Sequence, residues 1–233
     1  MRLPRPVDKT AQEAVLINTA GGLTGGDRLT TETELGEGAC LVMTTQACER
    51  IYRSTGDDAV VSNRLLARRG ARLAWLPQET ILFDGARLTR RLEVDLEGDA
   101  EFVAVEAILF GRAAMGEAVR TGSLRDQWRV RRDGRLLFAD DLTFSGDIVA
   151  ALARPSTLDG NLAMATVLHV GPEPERLLEP ARAVIGEAGG ASAWGGKLLA
   201  RLVAETGLAL RRKLEPLLSL LLSAQPLPKV WRL

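Results

Sequence analysis

The sequence predicts a mainly β protein with two layers of strands and a small α+β region at its C-terminal end. Apolar residues alternate with a period of two over most of residues 1–155, and Gly, Asp or Pro separate the alternating runs. Beyond Pro155 the order changes to strand, helix, strand, helix. We therefore predict a β-rich domain over 1–155, with an antiparallel or mixed sheet arranged as a sandwich or a β-helix. Residues 156–233 form a βαβα appendage, either separate or packed with the first region as one domain.

Each predicted element follows from a local pattern. In the first region the alternating runs predict strands at 29–35, 39–43, 60–67, 88–96, 101–110, 124–130 and 136–144. In the second region we predict strands at 162–170 and 196–205 and helices at 173–188 and 208–222. Pro216 lies inside the last helical segment, where it should kink the helix or mark a restart.

Composition excludes several functional classes. Among 233 residues, 30 Lys and Arg balance 30 Asp and Glu, so no basic excess favours nucleic acid or an anionic membrane. Residues 1–6 contain no apolar signal segment, and the apolar run at 217–224 is too short to span a bilayer. Cys40 and Cys48 are too few for a disulfide framework. We predict a cytoplasmic protein with reduced thiols that binds neither nucleic acid nor membrane.

A glycine-rich segment at 21–28 is the most distinctive motif of the chain. It lacks the Lys-Ser/Thr of a P-loop, and its glycines do not have the spacing of a dinucleotide-binding loop. Its glycines are Gly21, Gly22, Gly25 and Gly26. Glycine permits positive φ and close backbone approach, so we predict a constrained turn that holds Asp27 in one place. The alternative is a surface turn with a solvated aspartate.

Two carboxylates occur in strands that are otherwise apolar. Glu106 has apolar neighbours on both faces of its strand and is therefore predicted to be buried. Asp140 shares a face with Phe138 and Leu142. Burying an unpaired ionised carboxylate costs several kcal/mol, so each needs an arginine, a hydrogen-bond network, a water-filled passage or a cation. The arginines weighed as structural partners are Arg50, Arg53 and Arg112.

Five phrases occur in order over nearly the whole chain. They are INTAGGLTGGD (17–27), TTQACERIYRS (44–54), WLPQETILF (75–83), FGRAAMGE (110–117) and LPKVW (227–231). Together they resemble the urease accessory protein D family, also called UreD or UreH. Members of this family usually begin further upstream. We therefore expect either that Met1 is not the true start or that the fold lacks an edge.

The resemblance implies a function. Proteins of this family are mainly β accessory proteins that bind apo-urease together with accessory protein F and the GTPase G. They convey nickel to urease through an internal acidic passage, so nickel is a cargo and no tightly bound cofactor is implied. Oxygen ligands exchange a divalent ion quickly, which suits a relay. The family's acidic positions fall on Asp27, Glu106 and Asp140, and Glu79 and Glu117 are weaker candidates for the passage.

No feature of the chain indicates an enzyme. His169 is the only histidine and lies in an apolar strand, and neither a Gly-x-Ser-x-Gly elbow nor a Walker sequence is present. We interpret Arg53 and Arg112 as organisers of the passage carboxylates, because a guanidinium can clamp a carboxylate with two hydrogen bonds. Two alternatives stay open. One is a metal-free chaperone that only remodels or bridges apo-urease, and the more distant one is a hydrolase using Asp27 and Glu106.

Overall fold

The computed structural model describes residues 12–112, 116–222 and 225–232. Within these ranges the chain forms two β-sheets and three α-helices, which confirms the mainly β class. The expectations about Met1 and the start of the chain fall on residues 1–11, outside the described residues, as does part of the phrase at 110–117. Among the described residues, no helix combines the length and the apolar character needed to cross a membrane.

Among the described residues, nine strands form the first sheet. They are β1 (Gln12–Leu16), β3 (Cys40–Thr45), β4 (Glu49–Ile51), β6 (Arg72–Leu76), β7 (Thr80–Leu82), β9 (Glu101–Phe110), β12 (Ala163–Val170), β13 (Gly189–Trp194) and β14 (Lys197–Ala204). The main path is β1-β3-β6-β9-β12-β14-β13, with β7 pairing both β9 and β4. The short strands β4 and β7, together with β1, β6 and β13, are absent from the sequence-based prediction.

In the part of the chain that the structure describes, the second sheet has five strands in the order β11-β10-β8-β5-β2. They are β2 (Arg28–Leu35), β5 (Ala59–Ala67), β8 (Arg87–Leu96), β10 (Thr121–Arg132) and β11 (Arg135–Asp147). Strands β2, β5, β8 and β10 pair in parallel. Strands β1, β3, β6 and β9 do the same in the first sheet. The chain therefore passes between the sheets and returns to each one a strand further on, which is the path of a β-helix.

The C-terminal strands continue the first sheet. β12 pairs antiparallel with β9 and with β14, and β13 pairs antiparallel with β14. The helices α2 (Pro174–Ile185) and α3 (Gly207–Leu221) pack on the outer face of this sheet, and α1 (Ile148–Leu152) follows β11. α3 runs through Pro216 without a restart.

The buried apolar residues of the described ranges form three clusters. The outer core lies between the first sheet and helices α2 and α3. Two further clusters lie between the sheets. We call them the Trp128 cluster, with Trp75, Leu92, Phe102 and Trp128, and the Phe110 cluster, with Leu88, Ile108, Phe110 and Leu124. The sandwich interior is therefore divided along the strand direction.

Candidate functional site: a polar layer between the sheets

A layer of polar side chains separates the two clusters inside the sandwich. Glu106, for example, lies on β9 between Ala104 of the Trp128 cluster and Ile108 of the Phe110 cluster. Seven strands each contribute one such inward-facing residue, and we call the set the polar layer: Asn63, Arg90, Glu106, Asp126, Asp140, Thr166 and Arg201. The interior of this β protein is therefore polar along one plane.

Arg90 is the centre of the layer. Its Nε and Nη2 donate to the two carboxylate oxygens of Asp126 at 3.0 and 2.7 Å. Its Nη1 lies 2.5 Å from Oε2 of Glu106 and donates to Oγ1 of Thr80 at 3.0 Å. The other oxygen of Glu106, Oε1, accepts a hydrogen bond from Nε1 of Trp75 at 3.0 Å. One guanidinium therefore joins carboxylates from the two facing sheets.

Charge is not balanced at this centre. Two buried carboxylates share one guanidinium, and Glu106 is only 3% exposed. Burial raises the pKa of Glu106 to about 7; the charge of Asp126 adds to this effect, while Arg90 and the hydrogen bond from Trp75 oppose it. Glu106 therefore exchanges a proton near neutral pH. The burial predicted for Glu106 is confirmed.

The layer reaches solvent at one edge of the sandwich. There Oδ1 of Asp140 lies 2.6 Å from Nη2 of Arg201, and the two side chains are 19% and 46% exposed. In the first sheet Thr166 pairs in register with both Glu106 and Arg201, so the three residues lie side by side across β9, β12 and β14. Glu106 and Asp140 thus belong to one layer, with Asp140 at its open end.

Asp27 lies apart from this layer, at the surface. Its Oδ2 accepts a hydrogen bond from the backbone N of Thr24 at 2.8 Å, within the glycine-rich turn. A Cβ on Gly22 would lie 2.5 Å from the Tyr52 ring and 2.6 Å from the Arg50 carbonyl, and a Cβ on Gly25 would overlap Ser54. Gly21 and Gly26 have φ of +78° and +89° in open space. The glycines therefore serve both close packing and positive φ.

The arginines singled out in the sequence also lie at the surface. Arg53 pairs with Asp84 at 3.3 Å, and Arg112 pairs with Glu117 at 2.7 Å while stacking over Phe83. They do not contact Glu106 or Asp140, whose arginine partners are Arg90 and Arg201. Arg90 on β8 and Arg201 on β14 point into the space between the sheets, and they can therefore reach these carboxylates.

Glu79 belongs to a separate buried cluster near α3. Arg211 of α3 donates from Nε and Nη2 to its two oxygens at 2.9 and 2.6 Å, and the guanidinium lies over the Trp231 ring. The thiol of Cys48 donates to Oε2 of Glu79 at 3.3 Å. Burial, with Glu79 nearby, raises the pKa of Cys48 to about 11, so this thiol stays protonated. The cluster fastens the C-terminal helix to the sheet.

Sequence reasoning missed the other three charged members of the layer, as well as the polar residues Asn63 and Thr166. Arg90, Asp126 and Arg201 each interrupt an apolar inward-facing series, for example between Leu124 and Trp128 on β10. The same signal identified Glu106, so Asp126 and Arg90 were detectable by applying it to every predicted strand. Their mutual contact was not detectable, because it depends on how the two sheets face one another.

A preformed metal centre is not present in the described part of the chain. No three His, Cys, Asp or Glu side chains converge there in a way that could hold a metal. His169 is buried on the outer face of the first sheet, and neither ring nitrogen has a hydrogen-bond partner among the described residues. Burial lowers its pKa to about 4, so His169 is neutral at physiological pH. Any metal in the polar layer would meet carboxylate oxygens.

Comparison with known proteins gives consistent matches over the full length. A family model described as UreD urease accessory protein matches residues 1–232. A relative from Agrobacterium fabrum, named urease accessory protein UreD, is 51% identical over 233 residues, which is 100% of this chain and 82% of that protein. A protein of the same name from Rhizobium etli is 53% identical, covering 100% and 85%. Urease accessory protein UreD 1 of Brucella abortus is 52% identical, covering 99% and 84%.

Proposed function

The chain belongs to the UreD family of urease accessory proteins, and on this premise we propose that it delivers nickel to apo-urease through the polar layer. In this proposal it is a cytoplasmic scaffold without catalytic activity of its own. It binds apo-urease together with accessory protein F and the GTPase G, as its resemblance to the family implies. Nickel is the cargo of the complex rather than a resident cofactor.

The polar layer is the observation that carries the proposal. It places three carboxylates, Glu106, Asp126 and Asp140, inside a sandwich that is apolar on both sides of them. Replacing a buried ion pair by apolar residues is often neutral or stabilising, so stability alone gives no strong reason for these charges. A route for a cation does give one, because a cation crossing an apolar core needs anionic or polar ligands along the way.

The chemistry of the layer suits transfer rather than storage. Carboxylate oxygens hold first-row divalent ions less tightly than histidine or thiolate ligands do, so exchange from one carboxylate to the next is fast. Asp140 at the exposed edge would make the contact with the ion nearest to solvent. Glu106 and Asp126 would bind it deeper in the layer, where proton loss from Glu106 leaves an additional negative charge.

Asp27 and its turn take a different role in this proposal. Because Asp27 is exposed and its carboxylate is fixed by the turn, we propose that the segment at 21–28 acts through contact with a partner protein. Glu117 is also outside the layer and belongs to the same surface region as Arg112 and Phe83. In this proposal Asp27 and Glu117 contribute to assembly of the complex and do not bind the ion in transit.

A second candidate function is a metal-free chaperone that only remodels or bridges apo-urease. The observation that favours it is that Glu106, Asp140 and Glu79 each have an arginine partner within 2.6 Å. In that case the buried carboxylates are parts of structural ion pairs, and nickel reaches urease by another route.

Asp140→Asn and Asp141→Asn provide a matched test. The two residues are neighbours on β11, but Asp140 faces the layer, whereas Asp141 pairs with Arg129 and Gln127 on the outer face. Apo-urease is activated with F, G, GTP and nickel, and the nickel content of urease is measured alongside complex formation by size-exclusion chromatography. We expect Asp140→Asn to form the complex yet load less nickel, and Asp141→Asn to behave as the wild type. Normal loading by both variants would favour the metal-free chaperone.

A further inference from the structure

Arg90 occupies the place between the two central carboxylates of the layer that a cation would occupy. Its guanidinium contacts both oxygens of Asp126 and one oxygen of Glu106, and all three side chains are buried. An entering cation would find two anionic ligands here, one from each of the facing sheets. In this structure the positive group between them is part of the chain itself.

A guanidinium cannot vacate this place by losing its charge. Arginine stays protonated at any physiological pH, so Arg90 remains a cation wherever it lies. A divalent ion bound to Glu106 and Asp126 would face this fixed positive charge at contact distance, and the repulsion is strong in a buried site. Nickel and the Arg90 guanidinium therefore compete for the same two carboxylates.

Arg90 also has a neutral contact within reach. Its Nη1 donates to Oγ1 of Thr80 at 3.0 Å as well as contacting Glu106. Thr80 is on β7 of the first sheet, the sheet that also carries Glu106. A side chain that gives up Glu106 can thus keep a hydrogen bond, which lowers the cost of its displacement.

We propose that Arg90 is a tethered counter-cation of the passage. It pairs with Glu106 and Asp126 while the layer is empty, and it competes with nickel for them when an ion arrives. The ion is therefore released onward instead of being retained. This inference rests on the proposed nickel route. In that route Arg90 does not bind the ion but competes with it for its carboxylate ligands.

A pair of variants isolates the guanidinium. Asp126→Asn retains Arg90 beside Glu106, whereas Arg90→Gln with Asp126→Asn presents the same Glu106 without its competitor. The probe is Ni²⁺ alone, titrated into the full chain against a chromophoric chelator. We expect the double variant to bind Ni²⁺ more tightly than Asp126→Asn by at least about tenfold. Equal affinities would overturn the proposal.

Arg90→Lys gives a second measurement that does not depend on how well the double variant folds. A compact ammonium cannot contact Glu106 and both oxygens of Asp126 at once, so it is a weaker competitor. We expect Arg90→Lys to bind Ni²⁺ severalfold more tightly than the wild type and to transfer it to apo-urease more slowly. Unchanged affinity and transfer would contradict the counter-cation role.

The nickel route and the counter-cation role fail in different ways. If Glu106→Gln loads apo-urease with nickel as the wild type does, the proposed route itself is wrong. If Glu106→Gln loads poorly while removal of Arg90 leaves Ni²⁺ affinity unchanged, the route stands and only the role of Arg90 is wrong.

Discussion

Replacing Glu106 by glutamine separates ion transfer from packing. The amide has nearly the shape of the carboxylic acid and its oxygen can still accept the hydrogen bond from Trp75, but it cannot ionise. Asp126 remains to pair with Arg90, so the guanidinium is not left without a partner. We therefore expect Glu106→Gln to fold and to bind its partners, yet to load little nickel into apo-urease.

The effect on stability has a defined sign. In the folded protein the pKa of Glu106 is raised from 4.5 to about 7, so the folded state binds this proton more tightly than the unfolded state. The resulting stabilisation is fully present below pH 4.5 and is lost as the pH rises through 7. The gap between 4.5 and 7 corresponds to about 3 kcal/mol. Glutamine does not titrate and therefore does not show this loss. The free energy of unfolding of the variant should thus rise relative to that of the wild type between pH 5 and pH 8.

Thermal melts at these two pH values measure the gain. For a chain of 233 residues, about 3 kcal/mol corresponds to roughly 6–12 °C in Tm. The difference in Tm between variant and wild type should therefore be more favourable to the variant at pH 8 than at pH 5. The reasoning is refuted if Glu106→Gln melts lower by the same amount at both pH values and loses nickel transfer only in proportion to its unfolded fraction.

Three further predictions concern stability. Gly25→Ala should lower the free energy of unfolding by about 1–3 kcal/mol, more than Gly26→Ala, because only the first places a Cβ against Ser54; urea titration measures both. Arg211→Ala should cost about 3–5 kcal/mol by stranding a buried carboxylate, whereas Arg212→Ala on the exposed face should change unfolding by less than about 0.5 kcal/mol. The pKa of His169 is lowered from 6.5 to about 4, so its stabilisation is present above pH 6.5 and is lost on acidification. The free energy of unfolding of His169→Leu, measured relative to the wild type, should thus be about 2 kcal/mol higher at pH 5 than at pH 8. The same difference between variant and wild type at both pH values would contradict this.

Alternation of apolar residues was sufficient to predict most of the long strands. The runs at 60–67, 88–96 and 101–110 correspond to β5, β8 and β9, and the helix expected at 208–222 corresponds to α3. These elements are long and have one or two buried faces, so the spacing of their apolar residues can be recognised within each segment of the sequence. The same reasoning placed Glu106 in the interior.

Contacts between distant parts of the chain could not be predicted in this way. β4 and β7 have only three residues each, too few to show a period, and Gly189-Gly190 at the start of β13 is more typical of a turn. The partner of Glu106 is Arg90 on the facing sheet, and no local pattern encodes how two sheets are superposed. Asp140 is partly exposed because β11 is an edge strand.

The polar layer runs across the strands and takes one residue from each of seven strands, and this fixes its dimensions. Neighbouring strands lie about 4.8 Å apart, so the members on β5, β8, β10 and β11 extend over three spacings, about 14 Å. The distance from the buried member on β5 to the exposed member on β11 is therefore set by the number of strands between them. Insertions at the ends of the strands leave it unchanged, whereas loss of the edge strand β11 would shorten it by one spacing and bring Asp126 to the rim.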